Sequence, residues 1–418
     1  MKDEWRLPDA PGQYMPLRED QPLSKAYFPN NLPPMIELSE EVVGELAHAM
    51  HALGRLDALV SEIDNPGAIF SSFVYKEAEQ SSQVEGTAVT VSDIYRLEVD
   101  ELSVDATDRD HERDVREARN YIRALAEAMD YLDTAGRTRD SLTVALLKRL
   151  HETLMERGRT DDDDPRPGDF RPGLAYIEEK TELGTSRVRF VPPPAHAVEG
   201  NVQSLMEYVQ TGRGWPDLID TALVHYQFET IHPFKDGNGR IGRLLIALML
   251  LCSDILANPV LYPSSYFNRR RTEYADHLLA VSEQGDWDAW LLFFLEGMGQ
   301  QAMEAFVRAK LLVQKRREYE TTYESARTSV RRLASELFSE PYFTVQEAAQ
   351  LIEMTYQSAN SAVEQLTADG VVVEVTGQAQ NRVFKAAEVM DIVERPPSEL
   401  PDSSEVMSRS SIVDLRNP

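Results

Sequence analysis

The stretch from Ile231 to Arg243 reads Ile-His-Pro-Phe-Lys-Asp-Gly-Asn-Gly-Arg-Ile-Gly-Arg and runs directly into an almost unbroken apolar segment ending near Leu256. A helix that is apolar all round has to be covered on every side. The run Leu244 to Cys252 is too short to span a bilayer, so the cover has to come from protein. Upstream, Leu218 to Ile231 places Ile219, Ala222, Leu223 and Tyr226 at helical spacing. The stretch is therefore a turn between two helices, and the predicted fold is mainly α, built round the second of them.

The turn also carries chemistry. Gly237, Asn238 and Gly239 allow positive φ and can aim backbone N–H groups at an anion at the mouth of the next helix. Arg240 and Arg243 are i and i+3 and share a helix face, and each planar fork suits phosphate oxygens. Asp236 is a hard oxygen ligand of the kind that takes Mg²⁺ beside phosphates. His232 alone in the stretch titrates near neutrality, which makes it the general-base candidate. Three other readings stand beside this one. Gly237-x-Gly239-x-x-Gly242 fits a dinucleotide fingerprint, although a helix rather than a strand precedes it. His225, Glu229 and His232 at i, i+4 and i+7 could hold a metal ion, without the H-E-x-x-H pattern. The turn could also be a relic that binds nucleotide without reacting.

The stretch resembles the Fic family motif, H-x-F-x-D/E-G-N-G-R-x-x-R, and matches it at every fixed position from His232 to Arg243. The resemblance implies a Fic helical core with a β-hairpin flap, and transfer of AMP from ATP to a Ser, Thr or Tyr hydroxyl of a protein target or of the chain itself. It makes His232 the base and Asp236 the Mg²⁺ ligand. Gly237, Asn238 and Gly239 become the hole for the inner phosphates, and Arg240 and Arg243 the ligands of the outer ones. Ile241 and Gly242, within the motif, and Tyr274 count with the nucleotide-binding residues. Where family members often carry paired tyrosines near adenine, this chain has Tyr274 followed by Ala275. Further upstream, Ser81-x-x-x-Glu85-Gly86 resembles the family's inhibitory motif, within a longer similarity from Lys76 to Thr90. The implied role of Glu85 is an ion pair with Arg243 that blocks the γ-phosphate. Read without the resemblance, Gly86 is a helix stop with a glutamate beside it.

The rest of the chain divides into an arm and helices over 1–110, a catalytic core over 111–299, a connector helix over 300–333, a module over 334–395 and a disordered tail over 396–418. Residues 1–35 read as an extended Pro-rich arm, and its Tyr27-Phe28-Pro29 to Pro34 run also resembles Fic proteins. Helices are expected from Ser39, over 68–83, 115–132, 142–156 and 202–209, and from Asp286. Residues 99–116 and Asp161 to Asp164 read as solvated loops. Gly168-Asp169-Phe170-Arg171 resembles the start of the Fic flap, with strands expected over 174–177 and 187–191. In Fic enzymes such a flap takes the target segment as an added strand. Residues 334–395 resemble a small winged helix-turn-helix. The would-be recognition helix carries Glu364 and no Lys or Arg, so a protein contact or a homodimer is expected rather than DNA.

The net charge of −27 argues against general affinity for nucleic acid or an anionic membrane. Cys252 lies in the apolar run and reads as a buried thiol. The opening residues lead into no apolar stretch, and a cytoplasmic protein is the expectation. The same site could instead remove AMP or use another donor, and a transcription regulator that senses nucleotide is the reading from another class. The target protein is not written in the sequence.

Overall fold

The structure is a computed structural model that describes residues 11–17, 25–63, 66–99, 109–156, 166–180, 186–212, 214–377, 382–402 and 406. Two short strands, β1 (Gly12–Pro16) and β2 (Lys25–Pro29), pair antiparallel, with Tyr14 opposite Tyr27. Then α1 (Glu40–Ser61) starts at Ser39, whose hydroxyl accepts from the Val42 N–H at 3.3 Å. Four more helices follow, α2 (Pro66–Val84), α3 (Val91–Val99), α4 (Arg109–Ala135) and α5 (Val144–Leu154). The hairpin is β3 (Ile177–Lys180) and β4 (Ser186–Phe190). Beyond it lie α6 (Ala195–Thr211), α7 (Asp217–Ile231), α8 (Asn238–Cys252), α9 (Ser264–Arg269), α10 (Arg271–Gln284) and α11 (Trp287–Thr322). The chain continues with α12 (Thr328–Glu336), β5 (Tyr342–Thr344), α13 (Val345–Leu351) and α14 (Tyr356–Ala368). It then adds β6 (Val372–Glu374), β7 (Val383–Ala386) and α15 (Ala387–Glu394), the three strands pairing antiparallel in the order β5-β7-β6.

The mainly α expectation holds, and α8 sits where its composition requires. Leu244, Leu248 and Leu251 face a core shared with α4, α5 and α6. Ile246 and Leu250 face a second core built from α1, α11 and the C-terminal elements. A helix wetted on neither side explains why its apolar run has no period. It ends at Cys252, short of the expected Leu256, where Asp254 turns to φ 55°. Cys252 is buried.

Some boundaries differ. The first hairpin strand begins at Ile177, where it was expected to end, because Pro172 and Gly173 keep the preceding residues irregular. The helix α9 carries no strong period and went unread. A single helix, α11, runs through the expected boundary between 299 and 300. Of the tail expected to be disordered, residues 396–402 and 406 are placed, with Leu400 packed against the core, and the others lie outside the described residues. Asp161 to Asp164 and the tip of the flap also lie outside them. Among the described residues no helix is long and apolar enough to cross a membrane.

Candidate active site

The end of α7 and the start of α8 face each other across six residues. His232 caps α7 in the left-handed region at φ 49°, and its backbone N–H closes the helix on the Phe228 carbonyl at 3.0 Å. A non-glycine residue is strained there, and Arg171 holds it. The Arg171 guanidinium donates to the His232 carbonyl at 2.7 Å, Ile231 at 3.2 Å, Gly173 at 2.7 Å and Pro193 at 2.5 Å. One buried fork therefore ties the base of the flap to the end of α7.

The glycine turn is fixed from within. Asn238 accepts from the Phe234 N–H at 2.8 Å and donates back to the Phe234 carbonyl at 2.9 Å. Its side chain is thus spent on the loop, and only its backbone is left for a ligand. His151 on α5 stacks on Phe234 at 3.8 Å, donates from Nε2 to the Asp236 carbonyl at 3.0 Å and accepts at Nδ1 from the Gly168 N–H at 2.9 Å. Gly237 has φ 75°, and a Cβ there would stand 3.1 Å from Met155 Sδ, so both conformation and space demand glycine.

Arg243 lies beneath this turn, 1% exposed. Its Nε donates to Ser81 Oγ at 2.9 Å, and its Nη2 donates to the Ser81 carbonyl at 2.9 Å and to Glu85 Oε1 at 2.6 Å. The Glu85 carboxylate hangs over the turn itself, since a Cβ built on Gly239 would come within 2.2 Å of Glu85 Oε1. Gly86, at φ 98°, ends the α2 segment that delivers it. Partial desolvation in the cleft would raise the Glu85 carboxyl, whose side chain is 42% exposed, but Arg243, with Arg240 and His232, holds it below the ordinary range. Burial likewise works against the Arg243 charge, yet Glu85, Tyr274 and Glu229 raise it above its ordinary value. His232 is pushed down to about 4, chiefly by burial and then by Arg171, so it stands neutral and able to accept a proton.

The other expected residues divide. Asp236 is about half exposed at 49%, with Oδ1 accepting from the Gly237 N–H at 2.6 Å. Arg240 is buried and bonded to Glu117 on α4 at 2.5 Å, with Asp236 at 3.5 Å. Ile241 and Gly242 do not face the turn. The Ile241 side chain is buried in the core and its N–H is committed to the Gly237 carbonyl, while a Cβ on Gly242 would meet Glu229 Oε1 at 2.4 Å on α7. Motif position counted them as ligands, but helical rotation turns both away. Tyr274 is buried, its hydroxyl 2.8 Å from His225 Nε2, among Phe267, Trp290 and Phe293. It backs the Arg243 end of the site. His225 is held at about 3 by burial and Arg243, bonded to Tyr274 rather than grouped with Glu229 and His232 as ligands. Among the described residues no cluster of three or more metal-ligating side chains exists. One exposed carboxylate fits a cation that takes its other ligands from phosphate oxygens, as Mg²⁺ does.

Sequence reading missed Glu117, His151 and the clamp role of Arg171. His151 left one trace, a polar residue on the apolar stripe of Leu147, Leu150 and Leu154. Glu117 left none in its highly charged surroundings.

The site has a neutral base, a nest of backbone N–H groups at a helix N-terminus and a buried guanidinium whose outer side is taken by a carboxylate. That set suits phosphoryl or nucleotidyl chemistry. Residues 43–130 match the family model described as Fic/DOC family N-terminal, and residues 141–250 match the one described as Fic/DOC family. A "probable protein adenylyltransferase" of Aquifex aeolicus is 26% identical over 167 residues, covering 39% of this chain and 48% of the relative. The "protein adenylyltransferase Fic" of Drosophila erecta is 25% identical over 259 residues, covering 58% of this chain and 46% of the relative. The chain thus spans about half the length of these curated relatives. The crystal structure of a Fic family protein from Desulfovibrio desulfuricans shares the fold, with a TM-score of 0.52 at 20% identity over 85% of this chain and 98% of that one.

Proposed function

Because this chain carries the Fic/DOC N-terminal and Fic/DOC domains, we propose that it is a protein adenylyltransferase that moves AMP from ATP to a hydroxyl side chain of a protein. The observation that carries this reading is the junction of α7 and α8, which sets a neutral His232 beside the backbone N–H groups of Asn238 and Gly239 at the start of α8, with Arg243 beneath. His232 takes the proton of an incoming Ser, Thr or Tyr hydroxyl. The oxygen attacks the α-phosphorus, the bond to the bridging oxygen breaks and pyrophosphate leaves, so a phosphodiester forms and the proton rests on His232. The nest at the start of α8 stabilises charge on the inner phosphates. Asp236 would hold Mg²⁺ together with the phosphates, and the ion would neutralise their charge. Arg243 would take the γ-phosphate, and Arg240, bonded to Glu117, would act with it at the outer phosphates.

Glu85 makes the resting protein self-inhibited in this reading. Its carboxylate occupies Arg243 and overhangs Gly239, where phosphates would settle. The chain divides functionally into the arm and inhibitory helices, the catalytic core and a winged-helix-like module over 334–395. The module's helix α14 bears Glu364 and neither Lys nor Arg, which favours a protein contact over DNA. The test is transfer from α-labelled ATP by wild type, Glu85→Gly and His232→Ala. Label on protein in the first two and none in the third supports the reading. Retained nucleotide with no transfer by any of them would make the chain a sensor.

A further inference from the structure

We propose that the C-terminal module, residues 334–395, clamps the α2–α3 pair that carries Glu85 and so sets how firmly Glu85 occupies the nucleotide site. The inference rests on reading Glu85 as the inhibitory carboxylate.

The pair is held on both sides of Glu85 by the same module. Before it, on α2, Ser71 Oγ donates to the Ser339 carbonyl at 3.0 Å. After it, on α3, Ser92 Oγ lies 2.6 Å from the Tyr342 hydroxyl and donates to Glu394 Oε1 at 3.3 Å. A stack of three rings joins the two sides. Tyr75 on α2 lies on Tyr95 of α3 at 3.9 Å and 6°, and Tyr95 lies on Tyr342 of β5 at 4.9 Å and 17°. The module holds its own jaw rigid, because Lys385 on β7 pairs with Glu394 on α15 at 3.0 Å.

The pair is stiff enough to transmit a shift. Gln83 Nε2 donates to the Val89 carbonyl at 2.8 Å, and the Val91 N–H donates to Glu79 Oε1 at 3.2 Å, so the connecting turn is bonded to both helices. Tyr75 stands about 15 Å along the helix from Glu85. A displacement at the stack therefore reaches the carboxylate through one packed helix instead of dying out in a loop. The module needs no contact with the nucleotide site to control it.

The experiment measures self-labelling from α-labelled ATP by the full chain as wild type, Tyr342→Ala, and Tyr342→Phe combined with Ser92→Ala, each with and without Glu85→Gly. The expected result is that Tyr342→Ala raises labelling roughly two- to tenfold, the shift that one aromatic pair and one hydrogen bond can impose on a two-state equilibrium. The phenylalanine double variant, which keeps the ring, gains less in the same direction. It also carries the test if Tyr342→Ala fails to fold. Neither adds to the gain of Glu85→Gly. A gain from Glu85→Gly with none from the module variants overturns the clamp. An equal gain from the module variants in both backgrounds also overturns it, since the module would then act on catalysis and not on Glu85. If Glu85→Gly itself gains nothing, the inhibitory reading fails first and the clamp falls with it.

Discussion

Replacing Glu85 with glycine removes one contact and leaves its surroundings nearly intact. Arg243 loses the 2.6 Å bond to Glu85 Oε1 but keeps both bonds to Ser81, so the guanidinium stays in position for a phosphate. Two unit charges with centres about 4 Å apart attract by about 4 kcal/mol at the effective dielectric of a protein surface. The Glu85 side chain is 42% exposed, and water screens that attraction toward the value of an exposed pair. About 1–2 kcal/mol is left for the phosphate to overcome, and its removal should raise transfer roughly five- to thirtyfold. The substitution also strands a buried charge, which can cost about 3–5 kcal/mol when nothing replaces the partner. The variant should therefore melt lower than wild type without nucleotide and recover most of the difference with ATP. The assay is incorporation of α-labelled ATP at equal folded concentration, with melting curves with and without ATP. Arg243→Ala in the glycine background should abolish the gain. Equal labelling by wild type and Glu85→Gly would refute the reasoning and reduce Ser81 to Gly86 to a helix end.

Three further outcomes follow from the geometry. His232→Ala should lower transfer by about 10²–10⁴ while ATP binding, measured by calorimetry, stays near wild type, and near-normal labelling would remove His232 as the base. Gly242→Ala should destabilise the fold by about 1–3 kcal/mol, because its Cβ would collide with Glu229 Oε1 and Phe228, and an unchanged melting midpoint would contradict that packing. His151, held at about 4 against an ordinary 6.5, binds its proton more readily in the unfolded chain. Stability should therefore be lost as pH falls from about 6.5 toward 4, by up to roughly 3 kcal/mol from this group, and His151→Phe should flatten that slope in denaturant titrations.

How much could be read in advance follows from how far apart the partners lie in the chain. The His232 to Arg243 turn places imidazole, glycine turn and guanidinium within one segment, and α8 announces its burial by an apolar run from Leu244 to Cys252. The pairing of Glu85 with Arg243 was expected only through the resemblance of Ser81-x-x-x-Glu85-Gly86 to the family's inhibitory motif, and the contact is present at 2.6 Å. Arg240 and Glu117 are 123 positions apart, His151 and Asp236 are 85 apart, and Arg171 and His232 are 61 apart. None of those pairs leaves a local period. Ile241 and Gly242 were counted by motif position, and a motif gives order along the chain and not direction round a helix; their side-chain positions turn away from the glycine turn. The strand β3 reads Ile-Glu-Glu-Lys, too polar to show the alternation of a half-buried strand.

The helix α11 holds 36 residues, about 54 Å of unbroken rod. At the expected domain boundary it approaches α1 closely, with the position of a Gly299 Cβ only 3.4 Å from Ala49 Cα. Past that point Ala302, Ala305, Phe306, Ala309 and Leu312 remain buried. The C-terminal module is also packed directly on this rod, with Arg308 donating to the Ile392 carbonyl at 2.6 Å and the Tyr319 hydroxyl to Glu388 at 2.8 Å, before a short turn over 323–327 leads into α12. One residue inserted along α11 would rotate everything after it by about 100° and would part Tyr342 from Tyr95. Recombination within 287–322 would have to preserve the turn as well as the reading frame, so core and module are expected to travel through evolution as one inherited piece.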